Sequence, residues 1–156
     1  MIVSDASPLI VLLKTNKLSI LQKLFKKIII PQAVYREITA KEQEKLIFDK
    51  AGWIEIRDIK NTEVNTLLEK LVDKGEAEAI VLAKELKTSL LVDDAKARKY
   101  AILLNLEVIG TLGLLKMAKN RGVIPSVKDA INDMLAEGYY IEDKLIARIL
   151  EDVGES

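Results

Sequence analysis

The chain has 156 residues, 49% hydrophobic and 31% charged, and its 24 basic and 24 acidic side chains cancel to a formal net charge of zero. That length predicts one domain able to bury a core without disulfides, and the balance excludes a partner held by the field of the whole protein. With neither histidine nor cysteine, most of the usual bases, nucleophiles and soft metal ligands are excluded, so chemistry falls to carboxylates, which suit a hard cation such as Mg²⁺ or Mn²⁺.

In chain order, the β-branched run Ile2 to Ser4 reads as a strand leading to Asp5. Ser7-Pro8 predicts a helix start, with a capping hydroxyl before a proline suited to the first helical position, and Leu9, Leu12 and Leu13 follow at helical spacing. Ile28 to Ile30 is a second strand, closed by Pro31, which opens a helix through Val34, Glu37 and Ile38. Ile54 to Ile56 is a third, and Gly75 opens a helix over Glu76 to Leu86. Leu90 to Val92 is a fourth strand, leading to Asp93-Asp94 and a helix to about Asn105. Val108 to Ile109 is a fifth, and Gly110-Thr111-Leu112-Gly113 turns out of it into a helix over Leu114 to Asn120. Ser126 caps a helix to about Glu137, and a last helix from Glu142 packs Leu145, Ile149 and Leu150.

Short apolar runs alternating with helical patterns predict an α/β fold, a mainly parallel sheet of about five strands covered by helices on both faces. No run of about 18 apolar residues and no charged leader with a cleavage site is visible, which predicts a cytoplasmic protein.

In a parallel sheet, residues just past the carboxyl ends of the strands gather along one edge, and ligands bind where strand order reverses. Asp5 and the pair Asp93-Asp94 hold such positions, so they can meet across about 90 residues of sequence, and the helices after Pro31 and Gly75 can add Glu37 and Glu76. Each acid has an ordinary alternative: Asp5 and Asp94 as helix N-caps, Glu76 as a partner for the helix dipole, Glu37 as a solvated side chain. Helical phase puts Glu76 on the stripe of Ile80 and Ala83 and points Glu78 to the other side, and it sets Glu37 one step from Val34 and Ile38. Inward-leaning acids with strand-end acids at the matching edge predict a shared metal site. Crowded carboxylates repel one another and persist where a divalent cation or shared protons neutralise them. Ser7 and Thr111 are available to hydrogen-bond phosphate, and Arg98, with Lys96 and Lys99, forms a local cationic cluster. The lysines at 14, 17, 23, 26 and 27 read mainly as solvated helix faces.

The segments Ile2-Val3-Ser4-Asp5-Ala6-Ser7-Pro8, Val34-Tyr35-Arg36-Glu37-Ile38, Gly75-Glu76-Ala77-Glu78-Ala79-Ile80 and Leu91-Val92-Asp93-Asp94 with Ala97-Arg98 together resemble a PIN domain. Val108-Ile109-Gly110-Thr111-Leu112-Gly113 is similar to a little-characterised prokaryotic branch of it. The resemblance implies a three-layer α/β/α sandwich and Mg²⁺- or Mn²⁺-dependent cleavage of RNA, with Asp5, Glu37, Glu76 and one or both of Asp93 and Asp94 as metal ligands. It also implies the toxin of a toxin/antitoxin pair, a homodimer silenced by a small DNA-binding antitoxin. Two positions depart from the pattern: Glu76 stands where Asp is common, and Val92 stands where a hydroxyl residue usually precedes the acid. A nucleic-acid- or antitoxin-binding module with little catalysis is the second reading. A Mg²⁺-dependent phosphatase is the third, disfavoured because Asp5 is followed by Ala6-Ser7 rather than by a second Asp two residues on.

Overall fold

A computed structural model describes residues 1–156. Five short strands, β1 (Ile2–Ser4), β2 (Ile28–Ile30), β3 (Ile54–Ile56), β4 (Leu90–Leu91) and β5 (Val108–Ile109), form one sheet in the order β3-β2-β1-β4-β5, every neighbouring pair parallel. Val3 pairs with Ile29 on one side and Leu90 on the other, which fixes β1 as the central strand. Every residue of β1, β2 and β4 is buried. Because consecutive strand residues point to opposite faces, both faces of the sheet are covered, which accounts for β-branched and leucine runs without alternation. The outer strands β3 and β5 are less buried, as edges are.

Ten helices flank this sheet as a three-layer α/β/α sandwich: α1 (Ala6–Lys14), α2 (Ser19–Phe25), α3 (Gln32–Ile38), α4 (Glu42–Lys50), α5 (Thr62–Leu68), α6 (Lys74–Leu86), α7 (Ala95–Leu103), α8 (Thr111–Asn120), α9 (Val127–Ala136) and α10 (Asp143–Asp152). None is long and apolar enough to cross a membrane. The helix α6 packs against α3, α5, α7, β1 and β4, and Gly75 through Ala83 are all buried. Its sequence, Ala77, Ala79, Ile80, Val81, Leu82, Ala83, is apolar nearly all round, the signature of a buried helix rather than a surface one.

Several boundaries differ from expectation for local reasons. The first helix starts at Ala6 with Asp5, in extended conformation, at its N-cap, so Ser7 and Pro8 are its second and third residues and Ser7 caps nothing. Proline tolerates the whole first turn, where amides lack helical partners, so it does not mark the first residue alone. Strand β4 stops at Leu91, although the Val92 amide still donates to Ile109 O at 2.9 Å. Helix α6 starts at Lys74, one residue before Gly75, because Asp73 caps it, and α7 ends at Leu103 rather than Asn105. Helix α8 already starts at Thr111, with Gly110 as its extended N-cap, so Thr111 to Gly113 are helical rather than part of a turn. Helices α2, α4 and α5 were not among the elements expected from sequence.

The central strands should be the least tolerant part of the fold. Leu91→Ala, at a fully buried position of β4 beside the β1 terminus, is expected to cost about 2 to 5 kcal/mol in urea unfolding through the cavity it leaves.

Candidate functional site

Strand order reverses between β1, which connects outward to β2 and β3, and β4, which starts the run towards β5. The carboxyl ends at this switch point carry Asp5 and Asp93-Asp94, and the Asp5 amide donates to Leu91 O at 2.9 Å, joining the two exits. Open parallel sheets bind ligands at such a crevice.

Asp5 is the centre of the charge crowding there. Only 4% of the residue is exposed. Its carboxyl is pushed up to about 7, first by desolvation and then by repulsion from Glu76, Asp73 and Glu37, against a lowering contribution from the Ala6 amide. Glu37 is held above the usual carboxylate range by desolvation and by Asp73. Glu76 is raised by desolvation and by Asp73, Asp94 and Glu37, with the Asp73 amide pulling the other way. Asp73 raises all three, Glu37 acts on both Asp5 and Glu76, and Asp94 acts on Glu76, so these acids share one electrostatic neighbourhood.

Glu37 and Asp5 both come up to Gly75. A Cβ built there would lie 3.3 Å from Glu37 Oε1, 3.6 Å from Val34 Cγ2 and 3.7 Å from Asp5 Oδ1. Glycine at this point lets the start of α6 come up under α3, so that Glu37, which is otherwise exposed, turns its carboxyl towards the buried Asp5.

Glu76 has two functions in the structure. Asp73 Oδ1 accepts from the Glu76 amide at 2.7 Å while Glu76 Oε1 accepts from the Asp73 amide at 3.1 Å, a reciprocal capping box at the head of α6. The ordinary helix-terminus role and the place in the acidic neighbourhood thus coexist on one buried side chain. Asp94 is likewise an N-cap, accepting from the Ala97 amide at 2.9 Å, with its side chain exposed and its charge felt at Glu76.

Asp93 and Asp94 are separated in role. Asp93 Oδ1 accepts from the Thr111 amide at 2.7 Å and Oδ2 from the Thr111 hydroxyl at 2.5 Å, which ties it to the start of α8. It contributes to none of the raised carboxyls and lines a groove of about 800 Å³ with Arg98, Lys99, Ile102, Leu112 and Leu145. Thr111 is buried, with amide and hydroxyl both committed to Asp93, so it presents no free hydroxyl to a phosphate. Arg98 Nη1 donates to Val92 O at 3.2 Å. Ser7 is exposed on the first turn of α1.

Two acids were missed from sequence. Asp73 contributes repulsion to Asp5, Glu37 and Glu76, and its Asp-x-x-Glu spacing to Glu76 is a legible capping-box signal. Glu78, which helical phase puts on the side away from Glu76, is buried there and accepts from the Ala33 amide at 3.1 Å. The all-apolar flanks of α6 were the available sign that every side of this helix is interior. The basic clusters keep their ordinary reading in part, since Lys17 pairs with Asp133 and Lys27 with Glu55. Tyr35, Tyr100 and Tyr139 are half-buried, whereas Tyr140 is 89% exposed.

An oxygen-only set suits Mg²⁺ or Mn²⁺ in donor chemistry. No three acidic side chains stand close enough together to hold a metal ion as placed, but Mg²⁺ is commonly held by one or two carboxylates, with waters and substrate phosphate filling the rest. Asp5 and Glu37, whose carboxylate oxygens both lie within 4 Å of the point where a Gly75 Cβ would stand, meet that requirement, and a cation there would offset the desolvation and the neighbouring negative charge that raise both.

Fold and site together define an α/β protein with a carboxylate cluster at its topological switch point. The DUF3368 family profile, described as a PIN domain, matches residues 1–155, and the chain belongs to that family. PIN domains are in general nuclease-type modules that use divalent metals, with nucleic acid as the substrate class. Among solved structures, the chain is similar to a PilT N-terminus domain protein from the hyperthermophilic archaeon Sulfolobus solfataricus P2, at 14% identity and a TM-score of 0.43, covering 91% of this chain and all of that one. No curated protein matches significantly.

Two outcomes follow from the crowding. Because the Asp5 carboxyl ordinarily titrates near 3.8 and is raised to about 7 in the fold, the folded protein binds a proton that the unfolded chain has lost between those values. Metal-free stability should therefore fall as pH rises from about 4 to 7, by on the order of 4 kcal/mol for this group at full extent, with Glu37 and Glu76 acting in the same direction. Chelator melts across pH 4 to 8 should show that slope, and Asp5→Asn should remove most of it. Gly75→Ala should leave stability within about 1 kcal/mol, since better helix propensity offsets a contact that the flexible Glu37 side chain can yield. The displaced Glu37 should weaken Mn²⁺ binding in calorimetry.

Proposed function

We propose that this protein is a Mg²⁺- or Mn²⁺-dependent endoribonuclease, the toxin of a type II toxin/antitoxin pair. The observation that carries the proposal is the buried, charge-crowded Asp5 at the β1/β4 exit, facing Glu37 over Gly75. Asp5 and Glu37 would hold the cation directly, Glu76 and Asp94 would reach it through waters, and Asp93 is an outer candidate bound to Thr111. When bound, the cation supplies Lewis acidity to a phosphodiester oxygen and lowers the pKa of a water.

The chain's own residues do the rest. Burial at the switch point keeps Asp5 in one orientation, since its amide is tied to Leu91 O and the residue is packed against the sheet. Asp73 and Glu76 hold each other through the capping box, which fixes the head of α6 beneath the site. Ser7, exposed on the first turn of α1, and Lys96 and Lys99 on α7 lie on helices that begin at this edge and offer hydrogen bonds or charge to a phosphate backbone. A neutral protein must bind a polyanion through such local cations, so binding should weaken steeply with salt. A homodimer and a small DNA-binding antitoxin as its partner belong to the same reading, which for these two points rests on the resemblance to prokaryotic PIN-domain toxins.

A second reading is favoured by a specific observation. No three acids stand at ligand spacing, and one Glu76 oxygen is already engaged at Asp73, an arrangement suited to an RNA- or antitoxin-binding module with little turnover. Tight RNA binding without cleavage would select it.

Cleavage of single-stranded RNA should require Mn²⁺ or Mg²⁺ and be abolished by Asp5→Asn with the fold intact by circular dichroism. Full activity in a chelator rejects the mechanism. Glu76→Gln retains the acceptor a capping box needs while removing one like charge, so stability in chelator should hold or rise and stabilisation by added Mn²⁺ should shrink. A variant that gains as much from Mn²⁺ as the native protein would take Glu76 out of the site.

A further inference from the structure

We propose that Glu78 is a positioning residue of the acidic site: its carboxyl caps α3 from the neighbouring helix α6 and thereby holds Glu37 beside Asp5. The proposal rests on the reading of that site as a metal centre.

Helix α3 begins at Pro31, an N-cap residue with no side-chain oxygen, and no side chain of its own caps it. The first amides of a helix lack intrahelical partners and need an acceptor from elsewhere. Ala33, in the first turn, finds one at Glu78 Oε1, 3.1 Å away and 45 residues further along the chain. Glu78 is only 8% exposed. A carboxyl is costly to bury unless its oxygens are used, and the mouth of a helix is a place where one is favoured.

This bond is one of two rungs between the same helices. Ala33 and Glu37 are four residues apart on α3, and Gly75 and Glu78 three apart on α6, so each pair lies along one helix face. Ala33 meets Glu78 at one turn. At the next, Glu37 Oε1 lies 3.3 Å from the point where a Gly75 Cβ would stand, with Val34 Cγ2 3.6 Å from the same point between them. As numbering rises along α3 it falls along α6, so the helices approach antiparallel with Glu78 and Gly75 as the two fixed contacts. Gly75 permits the close approach, but a glycine exerts no directional hold. The directional hydrogen bond is supplied by Glu78, and Glu37 is carried on the rigid turn that follows it.

The test compares the native protein with Glu78→Gln, which retains an acceptor, Glu78→Ala, and Glu78→Met, which retains volume without an acceptor and serves if the alanine variant does not fold. Two quantities are read: hydrogen exchange of the Ala33 amide, and Mn²⁺ affinity by calorimetry on the folded protein. Loss of the acceptor should speed Ala33 exchange and weaken Mn²⁺ binding by about tenfold or more, the scale of losing a support for a metal ligand, while Glu78→Gln stays within about twofold of native in both. Fast Ala33 exchange with native Mn²⁺ affinity would reduce Glu78 to a helix cap and overturn the positioning role. Unchanged Ala33 exchange would overturn the bond itself. If the native protein binds no Mn²⁺, the metal-centre reading falls and the positioning role with it, whereas Ala33 exchange still reports the cap.

Discussion

A carboxyl group withdrawn from water must share its charge with something, and the organisation of this protein follows from how Asp5 meets that constraint. It ends the central strand of a sheet covered on both faces, so it cannot turn outward. The groups that surround it are acids, which raise its proton affinity instead of lowering it. Such an arrangement is unfavourable in the metal-free chain at neutral pH and becomes favourable when a cation occupies the gap. The cost is borne by the rest of the fold, through fully buried strands and a core that continues beneath the site.

Helix α6 is where structural and chemical demands meet. Its head is closed by the Asp73–Glu76 capping box, its second residue is the glycine over which Asp5 and Glu37 approach, and its first full turn ends with Glu78 reaching into α3. Three acids within six residues would ordinarily repel without benefit. Here all three accept hydrogen bonds from amides at helix starts, where negative charge is favoured, and those bonds sustain the interior location of Glu76 and Glu78. The same geometry divides Asp93 from Asp94: adjacent residues leaving a strand point to different sides, one to the start of α8 and one to the head of α7 near Glu76.

Much of the fold was legible because its determinants are local. Runs such as Ile28-Ile29-Ile30 and Leu90-Leu91 are too short and too apolar for anything but buried strands between helices, and the βαβ rhythm implies parallel pairing. The candidate acids followed from that frame, since a parallel sheet collects what lies past its strand ends at one edge. What local reasoning did not reveal was burial on α6. Helical phase put Glu78 on the side away from Glu76, and along Gly75 to Ala83 that side is interior as well.

By itself the sequence determined the class of fold and the restriction to oxygen chemistry, and it singled out Asp5, Glu37, Glu76, Asp93 and Asp94 as candidate acids, because composition and period are properties of single segments. Only the tertiary structure decided which acids face one another, that Asp93 is bound to Thr111, and that Asp73 and Glu78 belong to the surroundings of the site. Those facts depend on strand order and helix approach, which arise from contacts between segments up to about 90 residues apart, such as Asp5 with Leu91, and no local pattern encodes them.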